Sequence, residues 1–266
     1  IGDFVVGARL RRANADGAAG SVQELERIVS RLRTAWPNTR LIVRADSGFC
    51  RDWLLSWCEA RDVDYVIGIA RNPRLQAEAE QAMECARADH DLTNRAARVF
   101  DELDYRTLDS WSRARRVVGK AEHLRKGANP RFVVTNLSEE EFGAQTLYEE
   151  EYCGRGEMEN RIKEQQLYLF ADRTSTHNMR SNQLRLLFST MAYLLHHVLR
   201  EFGLAGTEMQ NAQAGTIRSK LLKIGAKIQV SVRRVVISLS ESYPYQDLFE
   251  RILSNLRGQR AEVMQL

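Results

Sequence analysis

The sequence predicts an α/β protein with an inserted antiparallel β segment and a helical C-terminal part. Before residue 92, short β-favouring runs alternate with amphipathic helical stretches, the pattern of an α/β sheet. Three strand-like runs then follow one another without a helix between them, which suggests an antiparallel meander. From Glu139 onward the spacing of apolar residues is mostly helical. With 266 residues, 44% of them apolar and 28% charged, the chain is long and apolar enough for a sizeable core.

Taken in order, Phe4 to Leu10 reads as a strand, and Asn14 to Gly20 as a turn-rich loop holding Asp16 in a flexible turn. Ser21 and Glu24 have the spacing of a capping box, opening a helix that carries Val22, Leu25, Ile28, Val29 and Leu32 and stops at Trp36-Pro37. Leu41, Ile42 and Val43 form a buried strand ending at the Ser47-Gly48 turn. A helix from Arg51 to Ala60 and a strand from Tyr65 to Ala70 follow, then a helix from Leu75 to Arg87 after the Asn72-Pro73 break. The meander consists of Ala97–Leu108, Arg115–Leu124 and Arg131–Leu137. Helices are predicted near 145–150, 153–169, 178–202 and 214–224. A late strand, Val230 to Leu239, contains Arg233 and Arg234, and a terminal helix runs from Tyr245 to Leu256. The chain opens on Ile1, with a strand-like run directly behind it, so it reads as a piece of a longer protein.

The net charge is only +4, but 33 of the 39 cations are arginine. Arginine grips phosphate through a planar fork. A GC-rich genome also enriches arginine, so composition supports a nucleic-acid partner only weakly. Cys50, Cys58, Cys85 and Cys153 form no CxxC pair, and free thiols in a reducing cytosol account for them. No signal peptide is visible. The most apolar stretch, Leu184 to Leu204, is broken by Arg185, His196, His197, Arg200 and Glu201, and reads as a buried helix, not a membrane span. His196 and His197 have no third ligand at suitable spacing, which favours packing and surface roles.

Two stretches carry candidate chemistry. Asp46 stands just past the carboxyl end of the Leu41 strand, where ligands bind in open α/β sheets. It is a candidate metal ligand or acid/base group, or simply a turn-forming or capping residue. Further on, Tyr152, Arg155, Glu159 and Lys163 are spaced by three and four, which places them on one stripe of a helix. On a solvated face these charges would be ordinary i,i+4 pairs of about 0.2–0.5 kcal/mol each. Glu157 and Glu164 lie off the stripe, so Glu159 is the candidate carboxylate.

The RADSGF turn, the DYVIGIARNPRL strand, the ENRIKE helix, and the RSNQLRLLFSTMAYLL and TIRSKLLKIGAKI tail cover essentially the whole chain. Together they resemble the DDE-type transposases of bacterial insertion sequences, in the group with a Tyr-x2-Arg-x3-Glu-x6-Lys signature. By that resemblance Asp46 matches the second acidic residue of the triad and Glu159 the third. Tyr152 and Arg155 match the first two signature positions. The Lys position falls on Gln166, and Lys163 lies one turn earlier. The implied fold is a ribonuclease H-like mixed sheet flanked by helices. Its expected parts are a core over 1–92, a β insertion over 93–140, the catalytic helix and rest of the core over 141–206, and an extension over 207–266. Neither Asp3 nor Asp16 matches the family's first acidic residue. The first aspartate and first strands are therefore expected to be absent, and the chain alone to bind metal weakly and not transpose.

The implied reaction is cleavage and strand transfer at transposon-end double-stranded DNA. Two Mg²⁺ ions, with Mn²⁺ as a substitute, would be held about 3.5–4 Å apart. Asp46 and Glu159 would be ligands, and Tyr152, Arg155, Arg161 and Lys163 would contact DNA. Arg113, Arg115, Arg116, Arg233 and Arg234 are further candidates for phosphate contacts, or else solvated strand faces. The resemblance also implies a homodimer in the synaptic complex and a cytoplasmic, nucleoid-associated bacterial protein outside the membrane. The alternatives are a non-catalytic DNA-binding remnant of a transposase and another ribonuclease H-like nuclease.

Overall fold

The computed structural model describes residues 4–263, except for the side chains of Arg155, Glu157 and 259–263. It divides into two compact units, one of residues 11–157 and one joining the N-terminal residues to 158 onward.

In the first unit, α1 (Ser21–Ala35) leads to β1 (Ile42–Ala45), α2 (Asp52–Ala60) and β2 (Asp64–Ile69). Next come α3 (Pro73–Glu78) and α4 (Glu80–Thr93), then β3 (Ala97–Tyr105), β4 (Arg115–Leu124), the short β5 (Gly127–Ala128) and β6 (Arg131–Thr135). The sheet order is β1-β2-β6-β4-β3, with β5 paired to β4. β1 and β2 are parallel, as a helical crossover requires. The meander joins the same sheet, β6 pairing antiparallel with β2 through Val66↔Thr135 to Ile69↔Phe132. The mixed sheet flanked by helices is the predicted fold class.

Alternation along the strands divides the core into two faces. Tyr65 and Ile67 pack with Val117, Phe132 and Val134 beneath Val29, Leu54, Leu55 and Cys58. On the other face Val66, Val118 and Val133 meet Leu137, Leu147, Tyr148 and Tyr152. Covered on both sides, the centre of β2 reads as an unbroken apolar run. Burial raises the Cys58 thiol to about 12 and the Cys50 thiol to about 11, so both remain protonated at neutral pH.

Several expectations change here. The α1 cap is Gly20, at φ 83°, without a side-chain cap bond, so the Ser21–Glu24 box does not form. Ser21 is already inside the helix. The predicted Leu75–Arg87 helix is two helices meeting at Ala79. Asp16 is not loose: it accepts the Ala18 amide at 2.7 Å and pairs with Arg51 at 3.1 Å, and these bonds hold its carboxyl below the usual range.

The first unit ends with α5 (Ala144–Thr146), a π-helical turn (Leu147–Tyr152) and a 3₁₀ turn (Cys153–Arg155), after which α6 (Gly156–Leu169) begins. The regular helix predicted from residue 153 therefore starts only at Gly156. The 100° stripe arithmetic does not run through Tyr152 and Arg155.

The second unit holds α7 (Met179–Val198) with a π turn (Leu199–Gly203), and α8 (Ala214–Ile217) with another (Arg218–Leu222). Its later elements are β7 (Ala226–Val230), β8 (Val235–Leu239) and α9 (Gln246–Val263). Leu204, Met209, Ile217, Leu221, Leu248 and Ile252 form its core. Phe4 to Leu10 is not a strand. Its backbone is bonded by a side-chain amide instead, Gln183 accepting from Leu10 N at 2.7 Å and donating to Ala8 O at 3.0 Å. The predicted Val230–Leu239 strand is instead the end of β7, a turn holding Arg233 and Arg234, and β8, with β7 and β8 paired as a hairpin. The helix expected to be buried, α7, instead exposes Leu184, Phe188, Met191 and Leu195 and buries Ser189, Thr190, His196 and His197. His196 Nδ1 meets the Ala192 carbonyl at 2.8 Å, and His197 packs edge-on against Phe4. No helix among the described residues is long and apolar enough to cross a membrane.

Candidate active site

Asp46 caps the turn that leaves the carboxyl end of β1. Its Oδ1 accepts the Gly48 amide at 2.8 Å, which sets the orientation of the carboxylate. The side chain is exposed, and among the described residues no other group bonds it. The capping reading and the ligand reading of this residue are thus compatible. One oxygen is held by the turn, and the residue as a whole is exposed. A Cβ at Gly48 would lie 2.9 Å from Asp46 Oδ1, so the glycine makes room for the bond.

Two residues tie the Tyr152 segment to this turn. Arg44, on β1, donates from Nη1 to the Glu151 carbonyl at 2.9 Å. The same nitrogen would lie 2.8 Å from a Cβ at Gly154. Tyr152 is half-buried, 5.4 Å from the Tyr148 ring, and its hydroxyl lies over Gly68 of β2. A Cβ at Gly68 would be 2.6 Å from Tyr152 Oη and 3.2 Å from the Ser47 amide nitrogen. Tyr152 and the residue next to Asp46 therefore crowd one point on the sheet. Gly68 and Gly154 were not singled out from the sequence. The available signal was a lone glycine inside the apolar run Val66-Ile67-Gly68-Ile69, which marks a close backbone approach.

On α6, Glu159 and Lys163 are exposed. Arg161 is half-buried, with Nη1 3.7 Å from Glu164. Glu164 is buried and structural: it takes Arg200 Nη1 at 3.0 Å and the Ala214 amide at 2.5 Å. Gln166, at the signature Lys position, is exposed. The Arg155 side chain lies outside the described ones.

Three of the arginines proposed for phosphate are committed elsewhere. Arg115 is buried and bonds Asp52 and Glu59, each at 2.7 Å. Arg116 pairs with Glu102, and Arg113 with Glu59 at 2.8 Å. Burial opposes ionisation of Glu59. Bonds from Arg115, Arg113 and Tyr65 outweigh it, and the carboxyl sits below its ordinary range. The sequence shows the cations but not which carboxylates the fold sets beside them.

A family model described as transposase DDE domain group 1 matches residues 1–261. The chain belongs to the DDE transposases. No curated protein matches the sequence. DDE transposases act on DNA and generally use divalent metal ions, and transposition is the function of this chain's family. Among the described residues no group of three or more His, Cys, Asp or Glu side chains could hold a metal ion. Carboxylate oxygens, the donors that Asp46 and Glu159 each carry, are of the type that suits a hard cation. Mg²⁺ prefers carboxylate oxygens from one or two residues plus water and substrate phosphate, not a closed protein cage.

Proposed function

We propose that this DDE transposase domain contributes Asp46 and Glu159 as Mg²⁺ ligands to the reaction that cleaves and joins phosphodiester bonds at transposon ends. The observation that carries the reading is Asp46 itself. It is an exposed carboxylate at the carboxyl end of a parallel strand, oriented by Gly48, with the Tyr152 hydroxyl packed at the same turn. Bound divalent ions supply Lewis acidity toward phosphate and lower the pKa of a bound oxygen nucleophile.

The chain's own residues bind and orient. Asp46 offers the oxygen that Gly48 leaves open. Glu159 offers a carboxylate on the solvent side of α6. Tyr152 presents a phenol to the DNA backbone, and Arg155 braces a phosphate through its fork. Arg161 and Lys163 are further phosphate contacts on α6, Lys163 serving where the signature lysine is replaced by Gln166. Membership of the Tyr-Arg-Glu-Lys group rests on this pattern of residues.

The test is cleavage and strand transfer by the full-length transposase on duplexes carrying the transposon ends, with Mg²⁺ or Mn²⁺. Asp46→Asn and Glu159→Gln are each expected to lower the rate about a hundredfold or more, while Glu150→Gln, an exposed neighbour, leaves it unchanged. Water-proton relaxation by Mn²⁺ gives a second readout that needs no turnover, and both variants are expected to release the ion. Full cleavage by the Asp46→Asn protein would exclude the assignment.

A further inference from the structure

The β7–β8 hairpin is unlike the rest of the chain in charge, exposure and turn chemistry. From Met209 to Ser240 there are six cations, Arg218, Lys220, Lys223, Lys227, Arg233 and Arg234, and no carboxylate. This excess is larger than the +4 of the whole chain, so the remainder is net acidic. Every residue from Gly225 to Ser240 is exposed. Where Arg113, Arg115 and Arg116 are each paired with a carboxylate, Arg233 and Arg234 make no ion pair among the described residues.

The turn supports the same reading. Val230 pairs with Val235, and the Ser231 amide donates to the Arg234 carbonyl at 2.8 Å, leaving Val232 and Arg233 as the two central residues. Two-residue hairpins favour Asn-Gly or Asp-Gly, whose positive φ matches the strand twist. Val232 and Arg233 supply neither glycine nor positive φ, and Val232 is fully exposed at the tip. Turn geometry does not explain this choice of residues. The register also sorts the ribbon's faces: Ala226, Ile228, Val230, Val235, Ile237 and Leu239 share one side, while Lys227, Gln229, Val236 and Ser238 lie on the other. A two-stranded ribbon is narrow enough to enter a DNA major groove, and arginines at its tip suit phosphate contacts through their planar forks.

We propose that β7–β8 is a DNA-contacting arm, with Arg233 and Arg234 on phosphates and Lys227 and Gln229 on the DNA-facing side. The inference rests on the DNA-processing role above and adds to it a surface made of residues other than the carboxylates. The experiment is fluorescence anisotropy of a short mixed-sequence duplex over a series of KCl concentrations. Each phosphate contact adds about 0.9 to the slope of log affinity against log salt. The double variant Arg233→Ala/Arg234→Ala is expected to lose about tenfold or more in affinity at moderate salt, and to flatten the slope by roughly two. Arg87→Ala/Arg113→Ala removes the same net charge elsewhere on the chain and is expected to keep the wild-type slope. A wild-type slope in the double hairpin variant, with tight binding by the parent, would overturn the arm alone. Equal flattening in both double variants would also overturn it, because net charge would then suffice. Absence of salt-dependent binding by the parent would remove both the arm and the DNA-contact reading.

Discussion

A methyl group at position 68 would be driven into the Tyr152 hydroxyl and the Ser47 amide, both inside normal contact distance. Gly68→Ala is therefore expected to cost about 1–3 kcal/mol, read from urea unfolding. Tyr152→Phe removes the nearest of the clashing atoms, and in the Gly68→Ala background it should recover part of the loss. A double variant as unstable as the sum of its singles would contradict the contact. Arg44 makes a different kind of link, from its guanidinium to a backbone carbonyl. Arg44→Lys keeps a donor but loses the planar fork, so it should retain more DNA-end affinity than Arg44→Ala. Asp46 was readable because a strand's end and a turn signal its place. Gly68 was harder to read, since what fills the space above a glycine comes from residues far away in the chain.

Among the elements, α2 and β4 are held by the Arg115 network, which joins Asp52, Ser56 and Glu59 to a guanidinium stacked near Trp111. Removing the cation leaves Asp52 without an ion pair and Glu59, partly buried, with Arg113 as its remaining cation. Arg115→Ala should cost about 3–5 kcal/mol by urea unfolding. The same network sets a pH dependence. Glu59 and Asp52 have folded pKa values below their ordinary ones, so their contribution is complete above the unfolded carboxylate range, near pH 4. It is lost as pH falls through the lower folded values. Urea midpoints should therefore hold steady above about pH 5 and drop below it, and the drop should be smaller in Arg115→Ala. The strands of this unit were readable from their β-branched runs, because alternation and turn residues are local. The three π turns were not, since one extra residue in a turn leaves composition and apolar spacing almost unchanged. Nor could the sequence reveal that Phe4–Leu10 bonds a glutamine side chain in place of a neighbouring strand.

Across the whole molecule, the mixed sheet followed from the order of strand and helix signals, while the placement of charge did not. Buried arginines beside carboxylates and bare arginines on a hairpin look alike in one dimension. Apolar surface is distributed just as unevenly. Phe188 and Leu195 of α7 are 61% and 68% exposed. Contiguous apolar surface of this kind binds hydrophobic dyes and promotes association. Phe188→Gln with Leu195→Gln is expected to lower dye binding clearly and to shift the unfolding midpoint little, because neither side chain supports the core. A large loss of stability in that variant would show that these residues are packed in solution.

The π turn at Leu147–Tyr152 also determines how the chain tolerates change in length. A turn that holds one residue more than its α-helical counterpart can be shortened into regular helix by a single deletion. Excising Glu150 would wind the backbone tighter, lift the phenol off β2 and swing α6 about its own axis by roughly a quarter turn. Phylogenetic gaps should therefore avoid this segment, although it lies beside a surface loop where loss of a residue would otherwise be harmless.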